Sequence, residues 1–399
     1  MLFLWAARYD NDDSTPSMLE YIGEPANVGI RASLPGWVKT TEITIRAKSR
    51  ADAYERYRTH LGQRMAVGDN AIDQPITEGR IYEIVPDGRH VHYICAGPWK
   101  EHERELDVTS YTATDTLASV ITDILTDHVA VLSSDKSNID ANSTQIGSVW
   151  NTKASTGGIT PADAITEILD MSDSSGNVWD YWCVPEPFNG VSLGQYLPYY
   201  KARSTTAAIN WQCELADLKQ LSMSRHIWNL ARDVTVYYGS SPTATASSVS
   251  TEADLWTVEK APRKERFALT QANQTEDKYL SIYEQPIQQQ DFSIGAGTIR
   301  DAAGAQWPLW ELIKRGPGYI RINDLYPTAA LLDVSTDRLR TFFIAALDYD
   351  YSSNTLRVVP DNPDTRLDAV LAREVNMTEV KGEMVQRYEP TVPGVGNRR

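Results

Sequence analysis

The sequence predicts an α+β protein that is mostly β. Three observations carry this prediction: hairpin patterns in the first and last quarters of the chain, amphipathic helices concentrated between them, and abundant aromatic residues. The 399 residues include 20 tyrosines and 11 tryptophans, as in β-rich proteins with large contact surfaces. A chain of this length is expected to form two or three domains.

The last quarter of the chain contains the most regular hairpin pattern. Gly-Pro-Gly at 316–318 is a turn sequence, because glycine tolerates positive φ and proline fixes φ at about −65°. A strand is predicted to leave this turn over 319–325. A second, longer strand is predicted over 341–351, followed by a Ser-Ser-Asn turn at 352–354 and a returning strand over 355–359.

The far half of the strand 341–351 alternates in polarity. Leu347, Tyr349 and Tyr351 fall on one face, and Asp348 and Asp350 fall on the other. We therefore expect the first three side chains to face inward or toward a neighbouring subunit, and the two carboxylates to face water.

The first zone, up to about residue 106, is also predicted to be rich in strands. Residues 1–7 are apolar but lack the basic start of a signal peptide, so they predict a strand. Residues 42–47 alternate as a strand. Residues 80–96 predict a hairpin around Pro-Asp-Gly at 86–88, which supplies a fixed φ and a left-handed glycine.

One helix is predicted within this zone. Residues 49–52 (SRAD) form a start of the capping-box type. Tyr54, Tyr57 and Leu61 follow at helical spacing, which places them on one helical face up to Met65.

The middle zone, residues 107–204, holds the main predicted helices. Thr114 is predicted to cap the first of them. Its apolar positions form one continuous stripe, namely Leu117, Val120, Ile121, Ile124, Leu125 and Val129. The second is predicted to begin at 160–163 (TPAD), where a capping box coincides with proline at the first helical position, and to stop at 173–176 (DSSG). Between them, 133–156 is polar and predicts a solvated loop.

Further strands are predicted from aromatic and β-branched residues. They cover 178–184 and 195–201 in the middle zone, and 233–239 in the third zone, where Val234 and Val236 alternate. Residues 256–269 are predicted to add strands.

Three other segments of the third zone have a different character. Leu215, Leu218 and Leu221, spaced by three, predict a short helix. Residues 240–251 are a low-complexity Ser/Thr/Ala segment that predicts an exposed, mobile loop. The polar residues 374–399 predict a flexible C-terminal tail.

Charge and cysteine content exclude some classes of protein. The net charge of −15 repels nucleic acid phosphates and anionic membranes, which disfavours sequence-independent DNA binding. Cys95, Cys183 and Cys213 are an odd number without CxxC spacing, which indicates reduced, cytoplasmic synthesis. No apolar run approaches the roughly 18 residues that a membrane helix needs.

Three segments match known ligand-binding motifs only in part. Residues 295–300 (GAGTIR) lack the third glycine and the βαβ setting of a dinucleotide site, so they predict a loop. Residues 348–354 (DYDYSSN) resemble the start of a calcium loop but lack its glycine and its distal glutamate. His90 and His92 share one strand face, whereas Cys95 falls on the other, which disfavours zinc.

The chain also lacks an H-E-x-x-H motif and a Walker loop. We therefore predict no catalytic, cofactor-binding or metal-binding residues, no cofactor and no enzymatic activity.

The order of the motifs resembles a known family. The chain passes through TATDTLASVITDIL, GGITPADAITEILDMSDSSGNVWDYW and RHIWNLARDVTVYYG, and then GYIRINDLYP and TFFIAALDYDYSSNTLRVVPD. Over roughly 40–373, this succession resembles the tail-hub (baseplate-hub, tail-associated) proteins of tailed bacteriophages and related viruses.

The resemblance implies a fold of two β-barrel-like domains with an inserted α/β domain. On this chain, it implies a first barrel at 1–106, with strands from 205–240 as candidates to complete it. The insertion would then be 107–204, and the second barrel 205–373. The residues 374–399 would remain a tail.

The resemblance also implies a structural virion protein at the tail tip, made in the host cytoplasm. Such a hub is a homotrimer whose six similar barrels form a pseudo-sixfold ring. The implied partners are the tail tube or distal tail protein, the tape-measure protein, and tip or fibre proteins. DNA would pass through the channel without sequence-specific binding, and Asp348 and Asp350 could then face the lumen.

Two other classes remain open. One is a distal tail ring protein or a carbohydrate-binding tail adhesin, since aromatic side chains stack on sugars as well as on proteins. The other, ranked below it, is a tail-tip hydrolase that acts on the cell wall.

Overall fold

A computed structural model describes most of the chain, and the predicted tail at 374–399 lies outside the described residues. The described residues are 4–9, 18–58, 61–69, 74–103, 110–129, 132–146, 150–151, 153–154, 157–158, 160–187, 195–203, 209–226, 233–239, 245–249, 263–264, 267, 269–283, 287–295, 297–325 and 341–361.

Strands dominate the described chain, so the prediction of a mostly β, α+β protein is confirmed. The strands are β1 Trp5–Tyr9, β2 Met18–Gly23, β3 Asn27–Ser33, β4 Gly36–Arg46, β5 Arg64–Gly68, β6 Thr77–Asp87, β7 His90–Ala96, β8 Ser110–Tyr111, β9 Trp150–Asn151, β10 Lys153–Ala154, β11 Gly157–Gly158, β12 Trp179–Pro185, β13 Tyr196–Ala202, β14 Ile209–Glu214, β15 Leu218–His226, β16 Asp233–Tyr238, β17 Thr245–Val249, β18 Arg263–Lys264, β19 Ile287–Ile294, β20 Thr298–Asp301, β21 Gln306–Pro308, β22 Tyr319–Asn323, β23 Thr341–Asp350 and β24 Thr355–Pro360. The helices are α1 Arg50–Tyr57, α2 Leu117–His128, α3 Pro161–Met171, α4 Leu269–Tyr283 and α5 Glu311–Arg315, with 3-10 helices at Pro98–Glu103 and Leu215–Asp217.

Strands from both ends of the chain share one antiparallel sheet. Their spatial order is β2-β1-β5-β6-β7-β4-β3-β23-β24-β19-β15. A second row, β23-β22-β14-β20-β21, begins at the same strand β23 and contains one parallel pair, β14 with β22. The sheet therefore connects the first and third zones of the sequence directly.

The strand β23 is the junction of these rows. Its residues 346–350 pair with 29–33 of β3, whereas its residues 341–343 pair with 319–321 of β22. The predicted hairpin with β24 is confirmed, and Asn354 in its turn has a φ of 45°. Leu347 and Tyr349 are buried, and Asp348 and Asp350 are exposed, as the alternation predicted.

The N-terminal predictions hold, except for the length of α1. The strand β1, the strand β4 and the hairpin β6–β7 all form, with Gly88 at a φ of 60° in the turn. Ser49 caps α1 by accepting a hydrogen bond from the Asp52 amide at 3.1 Å. However, α1 ends at Tyr57 instead of near Met65, because Met65 belongs to β5 and pairs with Gly79.

The main core is closed by α5 and the residues before it. The Trp310 indole N–H donates to Asp69 at 3.0 Å, and the ring lies edge-on to Tyr349. The Trp37 indole N–H donates to the Ile313 carbonyl at 2.9 Å. Because buried indole N–H groups need acceptors, these bonds tie the N-terminal strands to α5 and to β23.

A second core lies between α2, α3, β12 and β13. The whole predicted stripe of α2, from Leu117 to Val129, is at most 3% exposed. Thr116 caps α2, two residues later than predicted, and its side chain exchanges hydrogen bonds with Ser119. The capping box of α3 is confirmed, with Thr160 as the cap and Pro161 as the first helical residue.

The polar segment after α2 is a loop over 133–146, as its composition predicted, but it is only partly solvated, and the short strands β9 and β10 follow it. Over 132–146 it runs along β13, where the Ser133 amide donates to the Tyr196 carbonyl and the Asp140 amide to the Tyr200 carbonyl. The buried Asn142 donates to the Tyr200 hydroxyl at 2.9 Å. The segment thus covers an edge of the sheet, so its polar groups find partners in the protein.

Two further predictions in the third zone are wrong. Residues 245–249, predicted as a mobile loop, form β17 and pair with β16. Residues 215–217 form a single 3-10 turn, and a strand follows it instead of the predicted helix. An irregularity in the register between Leu218 and Gln220 explains the misleading spacing, since it lets Leu218 and Leu221 both pack against the core.

Strands were predicted over 256–269, and the described part of this range contains the short strand β18 at Arg263–Lys264. Residues 256–262, 265, 266 and 268 lie outside the described residues. The helix α4 begins at the last residue of the range, Leu269. Its side facing α3 is polar: Thr275 and Lys278 donate to the Asp170 and Leu169 carbonyls at 3.2 and 2.6 Å. These carbonyls lie in the last turn of α3, where helices lack internal partners. The helix α4 therefore caps α3 through its polar side, while Ala272, Tyr279 and Leu280 on another side pack against Val234 and Val236 of β16.

Several contacts attach the helical part to the large sheet. β12 pairs in parallel with the start of β4. The Arg203 guanidinium binds Asp180 through two bonds of 2.7 and 2.9 Å, contacts Asp361, and stacks on Phe343. Among the helices of the described residues, none is long and apolar enough to cross a membrane.

A charge placed in the α2 stripe should unfold the helical part. Ile121→Asp buries an unpaired carboxylate in the second core, and we expect a loss of several kcal/mol in the free energy of unfolding. The matched control is Thr126→Asp on the exposed side of the same helix. Chemical denaturation followed by circular dichroism measures both, and equal stability of the two variants would refute the packing of α2.

The capping of α3 by α4 predicts a specific cost. Lys278→Met keeps the length of the side chain but leaves the Leu169 carbonyl without its donor, so we expect a loss of about 2 kcal/mol. Asn273→Ala, on the exposed side of α4, should be nearly neutral. Thermal unfolding of both variants tests this, and a Lys278→Met protein as stable as the control would contradict it.

Candidate functional site

A groove lies on the outer face of the large sheet. It has a volume of about 630 Å³ and crosses β24, β23, β3, β4, β7 and β6. We call it the outer groove and define it by the side chains that line it, which are Asn27, Gly29, Arg31, Glu42, Ile43, Thr44, Val85, His92, Ile94, Asp348, Tyr349, Asp350, Ser353, Thr355 and Arg357.

One row of the outer groove alternates in charge from strand to strand. Arg31 lies opposite Asp348 in the β3–β23 pairing, and Arg357 lies opposite Asp348 in the β23–β24 pairing. Arg31 approaches Glu42 at 3.6 Å, and Arg357 forms an ion pair with Asp291 on β19. Cross-strand pairs of opposite charge stabilise a sheet modestly. This row of charges therefore stabilises the pairing of the strands that form the groove.

The calcium-loop pattern forms a tight turn. Asp350 accepts hydrogen bonds from the amide and hydroxyl of Ser352, at 2.8 and 2.7 Å, and from the Ser353 amide. These bonds lower the pKa of Asp350 despite partial burial. Among the described residues, no group of three or more His, Cys, Asp or Glu side chains could hold a metal ion.

The histidines and the cysteine of β7 lie on the faces that the sequence predicted. The His92 ring nitrogen Nδ1 lies 2.9 Å from the Thr44 hydroxyl, at the outer groove. Cys95 is fully buried on the opposite face, where burial raises its pKa to about 12. The structure therefore keeps these residues apart.

The glycine-rich segment 295–300 has a packing role. The Lys219 side chain packs over Gly295, where a Cβ atom would lie 2.2 Å from it, so a larger residue would displace this lysine. Residues 298–301 form β20, which pairs with β21 and β14. A dinucleotide site requires a helix directly after the glycine-rich turn, whereas this segment continues into a strand.

We expected the chain to lack a serine-hydrolase motif, and this expectation is wrong, because the sequence contains the serine motif GVSLG at 190–194. It matches the G-x-S-x-G pattern of serine hydrolases and lies outside the described residues. Its flanking strands β12 and β13 pair with each other in antiparallel fashion. A nucleophile elbow needs a strand followed by a helix, so the setting does not fit that chemistry.

The structure brings His102, Tyr181 and Cys183 together in a way that no sequence spacing revealed. The Pro98 carbonyl can only accept, so His102 Nδ1–H donates to it at 2.9 Å and Nε2 accepts from the Tyr181 hydroxyl at 2.7 Å. The Cys183 thiol then donates to the Tyr181 oxygen at 3.1 Å.

This network is built for neutral groups. Burial, reinforced by the nearby Lys39 charge, lowers the pKa of His102 to about 4. Burial raises the pKa of Cys183 to about 12. A nucleophilic thiol needs a lowered pKa and access to a substrate, and His102 and Cys183 are both completely enclosed. The network therefore anchors the 3-10 helix at Pro98–Glu103 to β12.

A buried charged cluster lies beside it, where β5 and β6 meet β13. Arg80 forms an ion pair with Glu101, and burial raises the pKa of Glu78 to about 8, although Arg64 opposes the shift. Perturbed carboxyl groups often mark active sites, but Glu78 is only 2% exposed. We interpret the cluster as part of the attachment between the sheet and the helical part.

Comparison with known proteins finds similarity to solved structures, at the level of the fold. A scan of protein-family models finds no match, and neither does a search of curated proteins. Among solved structures, the chain is similar to the 43 kDa tail protein of prophage MuSo2 from Shewanella oneidensis. The TM-score is 0.57 at 12% identity, over 91% of this chain and 99% of that one.

It is also similar to the tail protein from Neisseria meningitidis MC58, with a TM-score of 0.56 at 12% identity over 90% of this chain and 97% of that one. The chain has the fold of these tail proteins. The resemblance inferred from the order of motifs is thus confirmed as a likeness of fold. Because both chains are covered almost completely, the tail-protein fold includes the helical part as well as the sheet.

The His102 network predicts a measurable dependence of stability on pH. The pKa of His102 is about 4 in the folded protein, against about 6.5 when unfolded. The unfolded state therefore binds the extra proton between these values. The stability that neutral His102 contributes is present above pH 6.5 and is lost as the pH falls toward 4, by up to about 3 kcal/mol.

Comparison with His102→Gln isolates this effect, because Gln does not titrate and the other ionisable groups are shared. Wild type should be the more stable protein at pH 7, and its advantage in urea denaturation should shrink toward pH 4.5. An advantage that stays constant with pH would show that His102 is not buried in its neutral form.

Proposed function

We propose that the chain is a tail hub, a structural virion protein at the distal end of a phage tail. In this proposal, three copies form a pseudo-sixfold ring that joins the tail tube to tip or fibre proteins and lets DNA pass. The supporting observation is a tail-protein fold that extends over 91% of this chain and 99% of the prophage protein.

The proposal assigns a role to each part of the chain. Residues 1–106 and 205–373 are the two barrel-like units, and 107–204 are the insertion. The separate core of α2, α3, β12 and β13 supports the insertion. The hairpins β6–β7 and β23–β24 support a repeated β unit. A ring of this kind has its neighbours in the tail tube or distal tail protein, the tape-measure protein and the fibres.

The net charge and the buried polar groups agree with a structural role. A ring that carries −15 per subunit repels DNA phosphates, so DNA can move through its channel without adhering. The most perturbed ionisable groups described above, at His102, Glu78 and Cys183, are enclosed in packing contacts. The proposal therefore includes no catalytic activity and no bound cofactor.

The proposal predicts the mass of the isolated particle. Mass photometry at nanomolar to micromolar concentrations should find a species at three times the 44.6 kDa of one chain, and negative-stain images should show a ring with a central opening. A hexamer would instead indicate a distal tail ring protein. A monomer over the whole concentration range would contradict the hub.

A further inference from the structure

The helix α1 presents an apolar face that nothing in the described residues covers. Tyr54 and Tyr57 of α1 are 60% and 51% exposed, and Leu61, in a turn beyond the end of the helix, is 60% exposed. We call these three residues the α1 patch. The exposed Arg50 and Arg58 flank it, and one exposed carboxylate, Glu55, lies between Tyr54 and Tyr57. Tyrosine and arginine are both enriched at the centres of protein interfaces, and exposed apolar patches often mark such interfaces.

The outer groove has the complementary chemistry. At its β6–β7 end, Val85 and Ile94 offer apolar surface, and Val85 is 40% exposed. At its β23 end, Asp348 and Asp350 are exposed. The lining carries three carboxylates against two arginines, and one of these arginines, Arg357, is already bound by Asp291 from the next strand.

The floor of the outer groove leaves room for a large side chain. Gly29 lies between Asp350 on β23 and Glu42 on β4 in the pairing of the strands. A Cβ atom at Gly29 would make only ordinary contacts, the nearest at 3.8 Å with Glu42. The absence of a side chain at this position therefore opens a depression between two carboxylates.

The two surfaces lie on opposite sides of the same sheet. Ala53 of α1 is buried in the same core as Ile84 and Val91, on the inner face of β6 and β7. Val85 and His92, which alternate with those residues, line the outer groove. Two complementary surfaces on different sides of one subunit allow a head-to-tail contact between identical copies, and such a contact forms a closed ring when the rotation between successive copies closes.

We propose that the α1 patch of one copy docks into the outer groove of the next copy. Tyr54, Tyr57 and Leu61 would cover the apolar end, and the flanking arginines would approach Asp348 and Asp350. Charge complementarity favours this contact over one between two grooves, because like charges would then face each other. The inference rests on the proposed ring and names the surfaces that form it. It places the two aspartates at a subunit contact instead of the channel wall.

Photocrosslinking tests the proposal directly. Tyr57 is replaced by the photoreactive p-benzoylphenylalanine in the full-length chain, and the protein is irradiated. We expect covalent dimers and trimers whose crosslinked peptides come from β3, β4, β6, β7 or the β23–β24 hairpin. Tyr21 is the matched control position, because it is 61% exposed but lies on β2, outside both surfaces. Intermolecular crosslinks from position 57 that map elsewhere would overturn the docking.

Two variants, one double and one single, provide an independent measurement. Tyr57→Ser with Arg58→Glu on the patch, and Val85→Lys in the groove, should each weaken assembly at least tenfold in mass photometry. Tyr21→Ser should leave it unchanged. All of these side chains are exposed, so the thermal unfolding temperature should stay near that of wild type. If wild type is a trimer and neither variant weakens it, the docking is wrong and the hub remains. If wild type is a monomer, both proposals fail.

Discussion

Five residue pairs between β3 and β23 bring opposite ends of the chain side by side. Without this pairing, the N-terminal strands and the C-terminal strands would form two sheets, each with an open edge. The same strand also pairs with β22 and β24, so three segments depend on its position. Such a contact is distant in sequence, and closing it costs chain entropy before other contacts can form.

The burial of Leu347 and Tyr349 fixes the register of this strand. A slip by one residue would turn them to solvent and put Asp348 and Asp350 into the core. The core is then completed by Trp310 and Trp37, whose indole groups find acceptors at Asp69 and Ile313. The register of β23 therefore sets both the packing of the core and the charge pattern of the outer groove.

Buried polar groups determine how the helical part sits on the sheet. The chain from Cys183 through Tyr181 to His102 has a donor and an acceptor at every step. Arg203 makes a second attachment through Asp180 and Asp361. Buried polar contacts of this kind allow few alternative geometries. They therefore fix the orientation of the helical part relative to the sheet, as an assembly with defined subunit contacts would need.

The sequence by itself determined the elements whose signals are local. The hairpins at 80–96 and 341–359, the caps of α1 and α3 and the apolar stripe of α2 follow from turn residues and periodicity, so they were predictable. The exposed faces of β7 and β23 followed from alternation. These features depend on neighbours within a few positions along the chain.

Only the tertiary structure decided where polar residues were buried and where apolar residues were left outside. Lys278 and Thr275 lie inward because the end of α3 needs donors, and Asn142 is buried because β13 needs an edge partner. The α1 patch is exposed because α1 packs on the sheet through Ala53 and ends at Tyr57. The outer groove combines six strands from both ends of the chain, and no local pattern carries information on which strands become neighbours.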